Sequence, residues 1–388
     1  MEGKLNSNNP NKLLAVEGVR GLACLMVLLS HLTSIFFPYL HSQKPELIKS
    51  SFDETLFNYP LGFLYSGTSA VYIFFCLSGF ILTYACVNKG DPVYNSAKMF
   101  LSRYFRLSIP TFFSIIICAI TLIIFRENNY DMPWISQLGK NVNLDFSSII
   151  YNALFSSIIL GDASYNWVVW TMQVELFGSF LIFFAVPVIN KLKLKPFIYI
   201  LLGAIICANF PTKFGFGYAA FLFGASIYYL PEIKNKLLFM TLIISGLYLS
   251  GYHHKQETYT FLANIEINIL RQYKVQGSFL YLMISGFLIV TACIKSNILN
   301  LITSNKLSVW LGKMSFSAYL LQMPIFYITT PIMSNYLIKN GFSYTQSALA
   351  TSITCLIVIY STSILFHKII DSKSTAISKK IIPIMILK

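Results

Sequence analysis

The sequence has few charged residues. Only 11% of its 388 residues are Asp, Glu, Lys or Arg, whereas a soluble globular domain carries about 25%. Hydrophobic residues make up 55% of the chain, and the mean hydropathy is +0.63. This composition excludes a disordered chain and an ordinary soluble enzyme, and it indicates a polytopic membrane protein.

Other signals are missing as well. The net charge is +14, but the basic residues lie in short loops between apolar blocks and form no single patch, so we expect no nucleic-acid partner. The seven cysteines have no regular spacing and lie in apolar segments, so we expect buried thiols and no metal site.

The sequence shows no linker and no internal repeat, so we expect one membrane-embedded domain at residues 1–367. A cytoplasmic tail follows at residues 368–388, either an interfacial helix or a solvated tail.

Ten apolar blocks approach the length of about 20 residues that a helix needs to cross a bilayer. We therefore predict an all-α bundle with about ten transmembrane spans. The predicted spans are Leu14–Phe37, Ser69–Val87, Leu107–Phe125, Val169–Ile189, Pro196–Phe210, Gly215–Pro231, Leu237–Tyr252, Ser278–Ile294, Met314–Tyr336 and Ser347–His367. One further block, Ser148–Leu160, is too short to span and should lie at the interface or re-enter the membrane.

The loop charges predict the orientation. With ten spans, 19 Lys and Arg residues fall on the side of the N-terminus and 9 on the opposite side. The positive-inside rule then places both termini in the cytoplasm. The two longest loops, Pro38–Thr68 and Arg126–Val168, lie on the outer side.

Ionisable residues inside the spans are rare, and such residues are usually functional. Glu17, Arg20 and His31 all belong to the first span. At about 100° per residue, Arg20 and His31 lie within roughly 20° of each other on one helix face. They are separated by roughly 16 Å along the axis. Glu17 is three residues from Arg20 and is expected to pair with it. A packing role for a lone intramembrane histidine is the alternative.

Glu175 is the third charged residue within the predicted spans. It lies about six residues into a span that enters from the outside, and His31 lies about six residues before its span leaves to the outside. The two residues therefore share a depth, and a Glu that orients a His is a common catalytic arrangement. We predict that Glu175 orients or polarises His31.

Two further features are notable. Arg103 and Arg106 stand one helical turn apart before the third span, where two guanidinium groups can grip a phosphate; ordinary flanking charge is the alternative. Ser78 and Gly79 lie in the middle of a span, where small side chains let a ligand or a helix approach closely.

Five segments together resemble the integral membrane acyltransferase 3 family, the bacterial membrane O-acyltransferases. Arg20 and His31 lie in the segment EGVRGLACLMVLLSH, and Arg103 and Arg106 lie in the segment SRYFRLSIP. The other segments are VYIFFCLSGFILTY with Ser78 and Gly79, WTMQVELF with Trp170, Thr171 and Glu175, and GKMSFSAYLLQMPIF with Gly312, Ser315 and Tyr319. One position departs from the family pattern: the last segment carries Gln322 where relatives commonly have His.

The resemblance implies transfer of an acyl group, usually acetyl from cytoplasmic acetyl-CoA, to a hydroxyl of an envelope molecule. We expect Arg20, Arg103 and Arg106 to hold the phosphate end of the CoA, since the spacing to His31 is about the length of a pantetheine arm. His31 would act as a base or as a transient acyl carrier, assisted by Glu175 and Glu17. Ser78, Gly79, Tyr319 and Gln322 would line the substrate cavity.

The resemblance also implies a cellular location and a class of acceptor. We expect a multi-pass protein of the bacterial inner membrane, in the stand-alone form without an SGNH-type esterase domain. The acceptor would be an envelope polysaccharide, such as lipopolysaccharide, or its lipid-linked precursor. Two alternatives stay open: a transporter or flippase of an acyl or glycan carrier, and a non-catalytic sensor or scaffold.

Overall fold

A computed structural model describes residues 10–88, 90–126 and 132–378, and every regular element within these ranges is helical. The all-α class is therefore confirmed. The physical reason is the solvent, because a bilayer offers no hydrogen bonds to the backbone and a helix satisfies its own.

Each predicted apolar block corresponds to one helix of the structure. We number these helices α1 Pro10–Phe36, α2 Gly67–Val87, α3 Pro92–Phe125, α4 Trp170–Ile189, α5 Lys195–Asn209, α6 Lys213–Tyr229, α7 Lys236–Ser250, α8 Gly277–Lys295, α9 Lys306–Lys339 and α10 Tyr344–Phe366. Helices α3 and α9 begin well before their apolar blocks, because hydropathy detects the part of a helix that is in lipid and not its polar extension. Arg103 and Arg106 are therefore residues of α3 itself.

Within the described ranges, six helical segments are long and apolar enough to cross a membrane. They correspond to α1, α2, α3, α4, α8 and α10. Helices α5 and α7 have 15 residues each, which is short for a full crossing. The ten-span topology and the cytoplasmic termini stay predictions.

The two long loops contain short helices. The first holds Tyr39–Ser42, Pro45–Leu47, Ser51–Asn58 and Gly62–Tyr65, and the second holds Ile135–Gln137, Phe146–Tyr151, Asn152–Leu160 and Trp167–Val169. The segment Asn152–Leu160 is a π-helix, a form that is rare over nine residues and frequent at functional sites.

The chain divides into two compact units. The first contains Met1–Val27, Pro60–Leu101 and Phe177–Lys313, and the second contains Leu28–Tyr59, Ser102–Leu176 and Met314–Lys388. The unit boundaries fall inside α1, α3, α4 and α9.

In the first unit, α2 packs closely against α6. A Cβ atom added at Gly79 would lie 2.0 Å from the carbonyl oxygen of Phe221, and one added at Gly224 would lie 2.0 Å from that of Cys76. Small residues at such crossings let two membrane helices approach to backbone contact. The space beside Gly79 is thus filled by α6, and helix packing explains this glycine.

In the second unit, buried polar contacts join distant segments. The Asn166 side-chain amide donates to Ser114 Oγ at 2.7 Å and to the carbonyl oxygen of Leu320 at 2.9 Å. The Tyr344 hydroxyl donates to the carbonyl oxygen of Phe36 at 2.5 Å. These bonds fix α3, α9, α10 and the end of α1, which carry the residues of the candidate site.

The last helix continues past the predicted domain boundary at residue 367. A π-helical turn at His367–Asp371 follows α10 directly, and helix resumes over residues 372–378. The predicted tail therefore begins as a continuation of α10, while residues 379–388 lie outside the described ranges.

Candidate active site

His31 is held by Gln322. The Nδ1 atom of His31 lies 2.7 Å from Oε1 of Gln322, and the Gln322 amide Nε2 donates to the carbonyl oxygen of Tyr319 at 2.8 Å. Because a carbonyl oxygen only accepts, the second bond fixes which end of the amide faces His31. The imidazole Nδ1–H therefore donates to Gln322 Oε1.

This arrangement leaves the other ring nitrogen as the basic one. In a neutral imidazole with the proton on Nδ1, Nε2 carries a lone pair. Among the described residues, Nε2 of His31 has no hydrogen-bond partner. The site therefore presents an oriented base, and the residue that departs from the family pattern is the one that orients it.

Aromatic rings surround the imidazole. Trp134 stacks on His31 with ring centroids 5.5 Å apart and planes at 28°. Phe326 meets the imidazole edge-on at 6.5 Å. Trp167 packs against Trp134 at 4.8 Å. Neither Trp134 nor Trp167 was predicted as a site residue; their position in the longest predicted loop, Arg126–Val168, was the available signal.

Glu175 forms an ion pair with Arg103. Its Oε2 atom lies 2.6 Å from Nη2 of Arg103, and both side chains are mostly buried. Pairing lowers the free-energy cost of burying either charge. The predicted orienting role of Glu175 at His31 stays a prediction, while the Nδ1 side of the imidazole is occupied by Gln322.

Arg106 also has a carboxylate partner. Its Nη1 atom lies 2.5 Å from Oδ1 of Asp371 and 3.2 Å from Ser374 Oγ, and its guanidinium lies over the ring of Phe316 at 5.5 Å. The other oxygen of Asp371 lies 2.8 Å from Nδ1 of His367. Asp371 was not predicted as a site residue, although it follows His367 by four residues at the start of the predicted tail, a spacing that brings two side chains together if the tail is helical.

Hydrogen bonds hold the hydroxyl of Tyr319 in a fixed position. It donates to the carbonyl oxygen of Val168 at 3.1 Å and lies 3.2 Å from Thr171 Oγ1. These contacts hold α9 against the start of α4. The next turn of α9 thereby presents Gln322 to His31 in a fixed register.

Glu17 and Arg20 lie in the first unit and form the expected pair, with Nη1 of Arg20 2.9 Å from Oε1 of Glu17. Both side chains are about one-third exposed. A Cβ atom at Gly312 would lie 1.9 Å from the carbonyl oxygen of Glu17, so α9 packs against α1 at this point. Helix α1 runs from Pro10 to Phe36, so Arg20 and His31 belong to the same helix, as predicted.

No group of three or more potential metal ligands occurs within the described ranges. The seven cysteines, all within the described ranges, form no disulfide, and six of them are buried. The remaining thiol, Cys207, is half-buried on α5.

The fold and the site define a polytopic helical membrane protein with an oriented histidine and paired arginines. A model of the acyltransferase domain of the acyltransferase 3 family matches residues 13–367. The chain belongs to this family and is a membrane acyltransferase. No curated protein and no solved structure matches the chain.

Proposed function

We propose that the protein transfers an acetyl group from acetyl-CoA to a hydroxyl of a cell-envelope polysaccharide or its lipid-linked precursor, at the bacterial plasma membrane. The observation that carries this proposal is the geometry of His31. Its Nδ1–H is held by Gln322, and its Nε2 atom is the one available to take a proton from an acceptor hydroxyl.

The reaction then balances with His31 as a base. Nε2 removes the proton from the hydroxyl while the oxygen attacks the thioester carbonyl, forming the new C–O bond. The C–S bond breaks as the tetrahedral intermediate collapses. The imidazolium returns its proton to the thiolate of CoA, and His31 is again neutral. The Nδ1–H bond to Gln322 Oε1 becomes charge-assisted in the transition state, when the imidazole carries the proton.

The arginines would bind the phosphates of CoA. Arg103 and Arg106 each use one side of the guanidinium for a carboxylate, at Glu175 and Asp371. Among the described residues, Arg106 uses Nη1 for both Asp371 and Ser374, and a guanidinium has five N–H donors, so its Nη2 and Nε atoms are left for phosphate oxygens. The carboxylates position these guanidinium groups, and Glu17 does the same for Arg20.

The predicted orientation fits this assignment. Arg20 lies near the cytoplasmic end of α1, where acetyl-CoA is available, and His31 lies in the outer half. The roughly 16 Å between them along the helix suits an extended pantetheine arm. Acetyl would therefore reach His31 from the cytoplasmic side and be transferred toward the outer face.

The test is acetyl incorporation into surface glycans of cells expressing the wild type or His31→Ala at equal protein level. We expect acetyl ester in the wild type and a loss of about 100-fold or more in His31→Ala, since a general base contributes about 10²–10⁴. His254→Ala is the matched control, because His254 is exposed in a loop of the other unit.

Equal acetylation by the wild type and His31→Ala would remove His31 from the chemistry. A wild type without any acetylated product would refute the acetyl or polysaccharide part of the proposal. A carrier flux assay on the same cells would then test transport.

A further inference from the structure

The second unit contains a polar cavity of about 440 Å³ in the loop between α3 and α4. This volume lies in the range of small-molecule sites, about 300–1,000 Å³. Residues of the turn at 137–143 and of the π-helical segment line it, with Trp167 at one side. The mechanism described above does not use this cavity.

One wall of the cavity is formed by polar side chains that are hydrogen-bonded to one another. Asp162 accepts hydrogen bonds from the Asn152 amide at 2.8 Å and from Ser156 Oγ at 3.1 Å. Partial burial by itself raises the pKa of Asp162, but hydrogen bonds from Ser164, Ser156 and Asn152 outweigh this effect and lower the pKa below its usual range. The carboxylate accepts four hydrogen bonds from the protein, from the backbone and the hydroxyl of Ser164, from Asn152 and from Ser156, so it uses its acceptor sites to hold this wall in place.

The side chain of Asn152 contributes a hydrogen-bond acceptor to this wall that receives no hydrogen bond from the described residues. A carboxylate only accepts, so the NH2 end of the amide must face Asp162. Its Oδ1 atom is buried and has no hydrogen-bond donor among the described residues. Asn152 is 2% exposed, and an orphaned buried acceptor of this kind calls for a donor.

The lining also suits a sugar ring. Tyr151 and Trp167 supply aromatic surface, and Asn143 and Ser148 add further hydrogen-bonding groups. The charges that line the cavity are one lysine, Lys140, and one carboxylate, Asp162, so the charges balance. Flat apolar ring faces combined with hydroxyl-binding groups match a neutral pyranose better than an anionic ligand.

The cavity is connected to the candidate base. Trp167 lines the cavity and packs on Trp134, which stacks on His31. The loop backbone is fixed by Arg126, which donates to the carbonyl oxygens of Lys140 at 2.6 Å and Val142 at 3.1 Å. Two ring contacts therefore link the cavity wall to the imidazole.

The segment that forms the wall is amphipathic. Asn152 and Ser156 line the cavity, while Leu154, Phe155 and Leu160 are 49%, 43% and 59% exposed. An apolar exposed side and a polar buried side are typical of a helix at a membrane border. The cavity thus lies beside an exposed apolar surface.

We infer that this cavity binds a neutral pyranose unit of the acceptor and presents it to His31, with Asn152 Oδ1 accepting from one of its hydroxyls, Asp162 holding Asn152 in place and Trp167 packing on its ring. This inference rests on the proposed function for its purpose, since the sugar is taken as the acyl acceptor. The binding itself is measurable without any acyl transfer.

The experiment is saturation-transfer NMR on the protein in lipid nanodiscs, which avoids the sugar headgroups of maltoside detergents. The probes are the methyl glycosides of glucose, galactose, mannose and N-acetylglucosamine, with methyl glucuronide as the anionic comparison. We expect saturation of the ring protons of at least one neutral glycoside by the wild type. Trp167→Ala and Asn152→Ala should reduce it about fivefold or more.

Asp145→Asn is the matched control. Asp145 caps the helix Phe146–Tyr151 through Ser148 N, it does not line the cavity, and Asn is an equally good N-cap. This variant should bind as the wild type does. Monodisperse elution of every variant in size-exclusion chromatography establishes that the proteins are folded.

Three results would overturn the site: no saturation of any neutral glycoside by the wild type, equal saturation by both cavity variants and the wild type, or stronger saturation of the glucuronide. Acetyl transfer is measured on the same preparations. Binding without transfer leaves the site standing and refutes the proposed function, whereas transfer with unchanged binding in the variants refutes the site alone.

Discussion

Gln322→Met tests whether the amide that replaces the usual histidine orients the base. Methionine keeps nearly the same shape and fills the same buried position, but it removes Oε1, which accepts from Nδ1 of His31 at 2.7 Å. We expect kcat to fall while the KM for the acyl donor stays unchanged, because this bond is strongest when the imidazole is protonated.

The magnitude follows from the difference between the two states of the bond. A neutral hydrogen bond contributes about 0.5–1.5 kcal/mol, and one to a charged group about 1.5–3 kcal/mol. Their difference of roughly 1–1.5 kcal/mol corresponds to about a 5- to 12-fold loss of rate. Loss of the fixed tautomer of His31 lowers the rate further, so we expect kcat to fall by about 10- to 50-fold in total.

The assay is acetyl transfer by purified protein under saturating acceptor. Gln272→Met provides the matched control, because Gln272 is exposed and bonds only its own segment, through the carbonyl oxygen of Asn268. It should retain full activity. The His31→Ala variant sets the lower limit of the scale.

Two results would refute this reasoning. A Gln322→Met enzyme within about twofold of the wild type would mean that the bond to Gln322 is not used in the transition state. A rise in KM at constant kcat would mean that Gln322 contacts the substrate and does not act through His31.

Two further predictions concern stability. Glu175→Gln removes the carboxylate that pairs with the mostly buried guanidinium of Arg103, so it should lower the melting temperature. Arg103→Met added to it should restore part of the loss while activity stays low, and a double variant no more stable than the single one would contradict the pairing argument. Gly79→Ala places a Cβ atom 2.0 Å from the carbonyl oxygen of Phe221. It should cost about 1–3 kcal/mol through separation of the helices, and an unchanged melting temperature would contradict the crossing.

The helices were predictable because the requirements of a bilayer apply to each segment of the chain separately. Each segment must satisfy its own backbone and bury apolar side chains over a defined length, so composition and block length locate it. The helical extensions of α3 and α9 were not predictable in this way, since their polar turns lie outside the apolar blocks. The predicted pair of Glu17 and Arg20 is confirmed, because it depends only on spacing within one helix.

The partners across helices were not predictable. Glu175 and Arg103 are 72 residues apart, and Arg106 and Asp371 are 265 apart. Which helices are neighbours, and how each is rotated, depends on close approaches at small residues and on side-chain packing. The depth argument for Glu175 gave no information on its rotation about the helix axis, and the structure pairs it with Arg103.

The sequence by itself determined the helical class, the membrane setting and the family, and it located His31 and the arginines, because each of these depends on residues close together in the chain. Only the tertiary structure decided that Gln322, 291 residues from His31, holds the imidazole, and that a loop between two helices forms a cavity linked to it through Trp134 and Trp167. The physical reason is that hydrogen bonds and ring contacts act over a few ångströms, and only the packing of the helices brings these distant residues within that range.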